Sequence, residues 1–185
     1  MMRLFIATPI SPEVEKELAR IISALKNAGG PIKWVAPTNI HLTLKFLGDS
    51  EENLIQQIKK IIDEVAAKHQ PIPTTLNSLG AFPTMARPRV YWVDLKGGSS
   101  ELGQIAAELD DAVHELGFEK ENRPFRAHLT LGRVKFPKGL NQMNEILKTI
   151  RVNPVQQTFD RIILFKSTLT QRGSIYEILN EAKLK

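Results

Sequence analysis

The tetrapeptide His-Leu-Thr-Leu occurs twice in this chain, at residues 41–44 and again at residues 128–131. Each copy begins a segment that predicts a β-strand, so its His and Thr project to one face while its leucines enter the core. The two histidines are 87 residues apart, which indicates two similar lobes rather than a solenoid of short repeats. Two such lobes imply a groove between them, with one imidazole and one hydroxyl contributed by each.

The elements around the two tetrapeptides follow the same order in both halves. A strand precedes an amphipathic helix with a serine cap, Ser11 in the first half and Ser99 in the second, and the tetrapeptide strand follows. The same spacing carries Arg3 onto Val90, which predicts that the opening strands match without adjustment. The remaining predictions are a helix capped by Ser50, a strand at 74–79, a loop bracketed by Pro83 and Pro88, a strand at 90–95, a helix near 140–150, a long strand near 155–166 and a final strand near 175–179.

The alternation of strands and helices leaves the sheet type open. Such alternation is typical of parallel sheets, but brief connections with Gly and Pro turns favour antiparallel sheets at least as strongly. With 42% hydrophobic and 24% charged residues, the composition is that of an ordinary globular domain. We therefore interpret the chain as one folded unit with two closely packed lobes.

The composition also restricts the chemistry. The chain contains no cysteine, which excludes disulfides, thiolate metal sites and cysteine nucleophiles. The net charge of +5 favours an acidic partner. No apolar run approaches the roughly 20 residues that cross a bilayer, and the first residues are interrupted too early for a signal peptide. We expect a cytoplasmic protein that does not bind membranes.

His41 and His128 suit acid–base chemistry at phosphorus. An ordinary histidine has a pKa of about 6.5, so at neutral pH one ring can act as base while the other acts as acid. In-line displacement at a phosphodiester needs these groups on opposite sides of the phosphate, which two lobes facing across a groove provide. A single strand histidine is more often a core residue, but the duplication with threonine favours the functional interpretation.

Several neighbouring side chains are candidates for binding the substrate. The hydroxyls of Thr43 and Thr130 can donate hydrogen bonds to phosphate oxygens. Strict alternation puts Lys45 on the face of the first histidine and Arg126 on the face of the second, with Arg133 on the opposite face. The other candidates, for the phosphate or for stacking a base, are Arg123, Phe46 and Trp92.

Other polar clusters have simpler interpretations. His69 and His114 lack a threonine two residues later, so we interpret both as structural or surface residues, and two dispersed histidines without cysteine do not indicate a zinc site. Asp110-Asp111 is expected on a solvated helix face rather than in a magnesium site. Gly97-Gly98 predicts a turn and a helix start, because the phosphate-loop pattern Gly-x-x-x-x-Gly-Lys-Ser/Thr is absent. We expect no metal and no other cofactor.

The longer motifs resemble those of a known family. The duplicated His-x-Thr-x motif, the run Arg-Pro-Phe-Arg-Ala-His-Leu-Thr-Leu-Gly-Arg at 123–133 and Pro-Arg-Val-Tyr-Trp at 88–92 are similar to those of the two-histidine phosphoesterase superfamily. The branch resembled is that of bacterial and archaeal 2′-5′ RNA ligases, also described as RNA 2′,3′-cyclic phosphodiesterases. The resemblance extends from Arg3 to Tyr176. Ala127 stands where relatives commonly carry proline, but neither residue is reactive, so no chemistry should be lost.

This resemblance implies an α+β fold of two pseudo-symmetric lobes, each with an antiparallel sheet flanked by helices, and an active-site cleft between them. It implies a single domain over 1–185 with an internal duplication, about 1–85 and 86–185. His128 would be the proton acceptor that activates water, and His41 the proton donor to the departing 3′ oxygen, leaving a 2′-phosphomonoester. With an RNA 5′-hydroxyl in place of water, the site would form a 2′-5′ linkage without ATP.

The expected partner is RNA with 2′,3′-cyclic phosphate ends, and the expected state is a monomer. Two alternatives remain. One is a protein that binds RNA ends with weak turnover, which the basic charge and the aromatic and arginine neighbours favour. The other is a phosphodiesterase for a small cyclic nucleotide.

Overall fold

The computed structural model describes residues 1–136, 138–171 and 173–185. The helices are α1 (Pro12–Lys26), α2 (Ile55–Ala66), α3 (Ser99–His114) and α4 (Asn141–Thr149). Short 3-10 turns occur at Pro37–Asn39 and Glu52–Leu54. The strands are β1 (Met2–Pro9), β2 (Ile32–Trp34), β3 (His41–Ser50), β4 (Ile72–Thr84), β5 (Arg87–Lys96), β6 (His128–Val134), β7 (Gln156–Phe159), β8 (Arg161–Thr170) and β9 (Gly173–Lys183).

The strands form two sheets in which neighbouring strands are antiparallel. The first sheet has the order β3-β1-β8-β9, and the second has the order β2-β6-β5-β4-β7. Each tetrapeptide strand, β3 or β6, pairs with the strand that opens its half, β1 or β5. The α+β fold with two antiparallel sheets flanked by helices is therefore confirmed, and the parallel alternative is wrong.

Each sheet combines strands from both halves of the chain. Strands β8 and β9 complete the sheet of β1 and β3, whereas β2 and β4 from the first half belong to the sheet of β5 and β6. The single long strand predicted near 155–166 is wrong, because Asp160 separates β7 in the second sheet from β8 in the first. The lobes are consequently not continuous segments of the sequence.

One hydrophobic cluster joins the helices to both sheets. Helix α2 packs on β8 and β9 and also on α3, while α3 contacts β3, so a helix from the second half supports the first sheet. The buried face of α1 shows the expected helical spacing, with Val14, Leu18, Ile21, Ile22 and Leu25 in the cluster.

Among the described residues, no helix combines the length and apolar character that would let it cross a bilayer.

Of the three predicted serine caps, the structure contains one. The hydroxyl of Ser11 accepts a backbone N–H in the first turn of α1, as predicted. Ser50 is instead the last residue of β3. The residue before α3 is Gly98, and Ser99 is the first residue of the helix. Gly98 has a φ of 69°, because the chain enters this helix through a left-handed conformation that favours glycine.

The loop predicted between Pro83 and Pro88 is also wrong. Strand β4 continues through Pro83 to Thr84, and β5 begins at Arg87, so a tight turn joins the two strands. Pro83 and Pro88 lie opposite each other, directly after a register shift at Phe82. Proline is accepted in a strand at such an irregularity because the ladder bond it cannot donate is already interrupted.

The register shifts at the same place in both tetrapeptide strands. The pairing of β1 with β3 skips Leu44, and the pairing of β5 with β6 skips Leu131, the final leucine of each tetrapeptide. Both strands therefore carry a β-bulge at the same point of the repeat. Because a bulge places two residues opposite one, the alternation of side chains reverses beyond it.

The register also corrects the predicted match of the opening strands. Ala7 lies opposite Thr43, and Trp92 lies opposite Thr130. These equivalent positions are 85 residues apart, two fewer than the 87 between the histidines. The prediction that one spacing fits the opening strands without adjustment is wrong, because the segment between opening strand and tetrapeptide differs in length by two residues.

Candidate active site

A cleft of about 880 Å³ lies between the two sheets. One wall comes from the first sheet and carries His41 and Thr43, and the other comes from the second sheet and carries Thr130 and Arg133. His128 is not itself among the lining residues, although Thr130 follows it by two positions on the same strand. The cleft thus brings together parts of both tetrapeptides.

Each histidine ring is held by a hydrogen bond to the backbone carbonyl of the residue two positions earlier. Nδ1 of His41 donates to the carbonyl of Asn39 at 2.8 Å, and Nδ1 of His128 donates to the carbonyl of Arg126 at 2.6 Å. Because a carbonyl can only accept, Nδ1 carries a hydrogen in both rings. Nε2 of each ring is then the nitrogen that can take up or release a proton.

Aromatic side chains surround the first histidine. Phe5 stacks on the ring of His41 with 4.8 Å between centroids, Tyr176 meets the ring edge-on at 5.4 Å, and Phe165 lies at 6.1 Å. Burial among these rings lowers the pKa of His41 to about 4, because the charged form loses its hydration. The positive charge of Arg133 lowers it further.

The second histidine also has aromatic neighbours. Phe82 meets the ring of His128 edge-on at 5.1 Å, and Trp92 lies at 6.3 Å. The guanidinium of Arg126 lies over the ring of Phe82, 5.9 Å from its centroid. Burial lowers the pKa of His128 below its ordinary value of 6.5, and the charge of Arg133 again adds to the effect.

Arg133 is the charged group that acts on both histidines, since it lowers the pKa of each. The prediction that it lies on the opposite face is wrong. Beyond the bulge at Leu131, both Leu131 and Gly132 are buried, and Arg133 is exposed and lines the cleft. A cation at this position can bind an anion in the cleft.

Lys45 does not reach the cleft, so the prediction that it binds phosphate is wrong. The bulge at Leu44 turns it to the opposite face, where its side chain is 7% exposed. Its ammonium pairs with Asp110 of α3 and donates to the carbonyl of Glu119 at 2.6 Å. The Asp110 carboxylate also accepts the backbone N–H of Glu121, so the prediction that Asp110 is a solvated surface residue is wrong.

The other predicted substrate contacts lie in three different places. Phe46 takes the exposed position after Lys45 and lines the cleft with 62% of its surface exposed. Arg126 and Trp92 lie beside the second histidine. Arg123 projects away, since its side chain is 90% exposed and contacts Glu121 at 3.6 Å.

Within the described part of the chain, no three His, Cys, Asp or Glu side chains form a group that could hold a metal ion.

Comparison with known proteins agrees with this architecture. Residues 8–92 and 93–176 each match the family model of LigT-like phosphoesterases. A Thermotoga maritima protein named RNA 2′,3′-cyclic phosphodiesterase is 32% identical over 187 residues, which cover 100% of this chain and 96% of that protein. A protein of the same name from Methanocaldococcus jannaschii is 35% identical, over 97% of this chain and 99% of its own.

A solved structure shares the fold over its whole length. The crystal structure of TT0787 of Thermus thermophilus superimposes with a TM-score of 0.81 and 27% identity, covering 99% of this chain and 98% of that one. With two matches of the family model and relatives above 30% identity along the full sequence, the chain belongs to the LigT-like phosphoesterase family.

Proposed function

We propose that this protein is an RNA 2′,3′-cyclic phosphodiesterase that hydrolyses cyclic phosphate ends to 2′-phosphomonoesters. The names of its relatives support this activity. The main structural support is that the two imidazole rings make the same hydrogen bonds and have the same charged neighbour. His41 and His128 each have Nδ1 bound to a carbonyl and Nε2 available, and one cation, Arg133, acts on both.

In the proposed hydrolysis, one ring accepts a proton and the other donates one at the same phosphorus. Nε2 of His128 takes a proton from water as the water oxygen forms a bond to phosphorus, in line with the 3′ oxygen. The bond between phosphorus and the 3′ oxygen breaks, and Nε2–H of His41 gives its proton to that oxygen. The phosphate stays on the 2′ oxygen. Acid–base catalysis of this kind contributes about 10²–10⁴-fold for each group.

The donor role requires that substrate binding change the protonation of His41. In the free protein its pKa is about 4, so the ring is neutral at neutral pH. The cyclic phosphate brings a negative charge that favours the charged ring and offsets Arg133, so the pKa of His41 rises in the complex. The hydroxyls of Thr43 and Thr130 donate to the non-bridging oxygens and hold the phosphate between the lobes.

The same steps need no metal ion, because Arg133 and the two threonine hydroxyls counter the phosphate charge. An RNA 5′-hydroxyl in place of water would give a 2′-5′ linkage without ATP, with the same bond to the 3′ oxygen broken. The domain itself is a duplicated unit of about 1–85 and 86–185. The two matches of the family model and the bulges at Leu44 and Leu131 support this origin.

The test is hydrolysis of a short RNA with a 2′,3′-cyclic phosphate end in EDTA, with the product identified by ³¹P NMR. We expect a 2′-phosphomonoester, and a loss of about 10²-fold or more in kcat for His41→Ala and for His128→Ala. The control is His114→Ala, an exposed histidine outside the cleft, which should keep full activity.

Three outcomes would contradict the proposal. A requirement for added metal would exclude the metal-free mechanism, and a 3′-phosphate product would show that the wrong bond was broken. Tight binding of cyclic-ended RNA by the wild-type protein without any turnover would favour an RNA-end-binding protein instead.

A further inference from the structure

Asn39 is bonded to the candidate active site through both its main chain and its side chain. Its carbonyl accepts the Nδ1–H of His41 at 2.8 Å. Its side-chain Nδ2 donates to the carbonyl of Ser174 at 2.8 Å, across 135 positions of the sequence. Because a carbonyl can only accept, this bond fixes the orientation of the Asn39 amide. One residue therefore joins the ring of the proposed acid to strand β9.

The main chain around Asn39 is held by bonds of its own. Asn39 ends the 3-10 turn Pro37–Asn39, and its N–H donates to the carbonyl of Ala36 at 2.8 Å. The N–H of Ile40 donates to the carbonyl of Pro37 at 3.1 Å, and the side chain of Ile40 is buried in the core. The Asn39 amide takes no part in these bonds, so it can hold another element.

The bond to Ser174 fixes the part of β9 that covers the His41 ring. Tyr176 lies two residues beyond Ser174 in the same strand, and side chains two apart project to one face. The ring of Tyr176 meets the ring of His41 edge-on, with 5.4 Å between centroids and 77° between the planes. Strand β9 lies at the edge of its sheet, next to β8. The Asn39 amide attaches this edge strand to the turn that precedes β3.

The second half has a comparable arrangement built from a different side chain. Arg126 stands two residues before His128, as Asn39 stands two residues before His41. The carbonyl of Arg126 holds the ring of His128, and its guanidinium lies over Phe82, whose ring meets the histidine edge-on. In both halves, this residue contacts the histidine with its carbonyl. Its side chain contacts the strand that supplies an edge-on aromatic ring.

We propose that Asn39 is a positioning residue for His41. Its carbonyl fixes Nδ1, and its amide holds Tyr176 against the ring, so that Nε2 faces the departing 3′ oxygen. The inference rests on the proposed hydrolysis, in which His41 is the proton donor, and Asn39 acts through that ring rather than on the substrate. A displacement of about 1 Å in a reacting group can cost about 10²-fold in rate, so a bond outside the chemistry can limit turnover.

The first measurement examines the His41 ring in the free protein by NMR. Asn39→Ala keeps the carbonyl but removes the amide that holds β9. We expect a weaker nuclear Overhauser effect between the rings of His41 and Tyr176, and a mixture of Nδ1–H and Nε2–H forms in place of the Nδ1–H form alone. The pKa of His41 should rise from about 4 towards 6.5, because a less covered ring regains hydration. The ring signals of His128 in the same sample should not change.

The second measurement asks whether the effect on turnover passes through His41. On a 2′,3′-cyclic substrate, Asn39→Ala should lower kcat about tenfold and leave KM unchanged. This loss is smaller than the 10²–10⁴-fold that a whole acid–base group contributes. When His41→Ala is already present, adding Asn39→Ala should not change kcat further, because no ring is left to position.

Asn180→Ala is the matched control. Asn180 lies in the same strand, and its amide donates to Asp63 of α2 at 3.0 Å, outside the cleft. This variant removes a bond of the same kind from β9 without touching Ser174 or Tyr176, so the His41 signals and kcat should match those of the wild type. Tyr176→Leu is a second variant, which removes the covering ring itself and should raise the pKa of His41 in the same direction.

The results separate this inference from the proposed hydrolysis. Unchanged His41 signals in Asn39→Ala, or an equal loss of kcat with and without His41→Ala, would overturn the positioning role and leave the hydrolysis intact. Equal changes in Asn180→Ala would show that any loosening of β9 has this effect, which would overturn the role of Asn39. Absence of turnover by the wild-type protein would overturn the hydrolysis, and the NMR signals would then decide whether Asn39 holds the ring.

Discussion

At the residue scale, the proposed acid–base chemistry depends on how strongly the surroundings of each imidazole lower its pKa. His41 and His128 are partly buried beside aromatic rings and share one cationic neighbour, Arg133, and each effect disfavours the charged ring. The repeated tetrapeptide singles out the two histidines, and their catalytic roles stay a prediction. It could not predict Phe5 or Tyr176 beside them, because those contacts join strands that are distant in the sequence.

The pH dependence of kcat/KM follows from these lowered pKa values, since it reports the free protein. The pKa of His41 is about 4, and that of His128 lies below 6.5. We expect a bell-shaped profile whose two limbs both lie below pH 6.5. The falling limb of kcat should lie at higher pH, because the bound phosphate raises the pKa of the donor. Steady-state kinetics from about pH 4 to 9 measure both, and a kcat/KM that rises above pH 6.5 would contradict this account.

Replacement of Arg133 tests the shared cation. Arg133→Met removes a positive charge near both rings, so the pKa of His41 and of His128 should rise, and turnover should fall because the phosphate loses a binding partner. NMR titration of the histidine ring signals measures both pKa values. Arg123→Met removes an exposed arginine outside the cleft and should leave them unchanged. An unchanged pKa at either histidine in Arg133→Met would show that the cation is not shared.

At the scale of elements, a bulge in each tetrapeptide strand decides which side chains reach the cleft. Simple alternation placed Thr43 and Thr130 correctly because both precede the bulge. It failed for Lys45 and Arg133 because both follow it. A bulge arises from the pairing of two strands, which the sequence of one strand does not specify.

One local feature did indicate the irregularity. Gly132 stands inside a strand, where glycine often marks a bulge or a close approach. A Cβ at this position would lie 2.8 Å from the ring of Trp34, so a larger residue does not fit. The first copy has Lys45 at the equivalent position, and nothing in its local sequence marks the bulge.

The ion pair of Lys45 with Asp110 links β3 to α3 and to the loop that leads to His128. Lys45→Met would leave the Asp110 carboxylate without its cation, and we expect the free energy of unfolding to fall by about 3 kcal/mol. The double variant Lys45→Met/Asp110→Leu should lose less than the sum of the single changes, as measured by urea unfolding. Lys120→Met breaks the exposed pair with Asp111 and should have a far smaller effect. Strict additivity would show that the pair does not stabilise the fold.

At the scale of the whole molecule, the two lobes depend on each other for strands. The duplication predicted two lobes. A sequence repeat shows which segments are similar but not which strands pair, so it could not predict that β8 and β9 complete the first sheet. A fragment of residues 1–85 would contain β1 without its partner β8. We expect this fragment to be unfolded by NMR, with dispersed signals restored when residues 86–185 are added. A folded 1–85 fragment would contradict this dependence.

The central claim is that two imidazoles from different sheets act on one phosphorus, with His128 as base and His41 as acid. A 2′,3′-cyclic substrate in which sulfur replaces the 3′ oxygen tests it most directly, because a thiolate departs without being protonated. The account predicts that this substrate restores near wild-type hydrolysis to His41→Ala and leaves His128→Ala slow. Rescue of His128→Ala alone would reverse the two roles, and rescue of neither variant would contradict the acid–base pair.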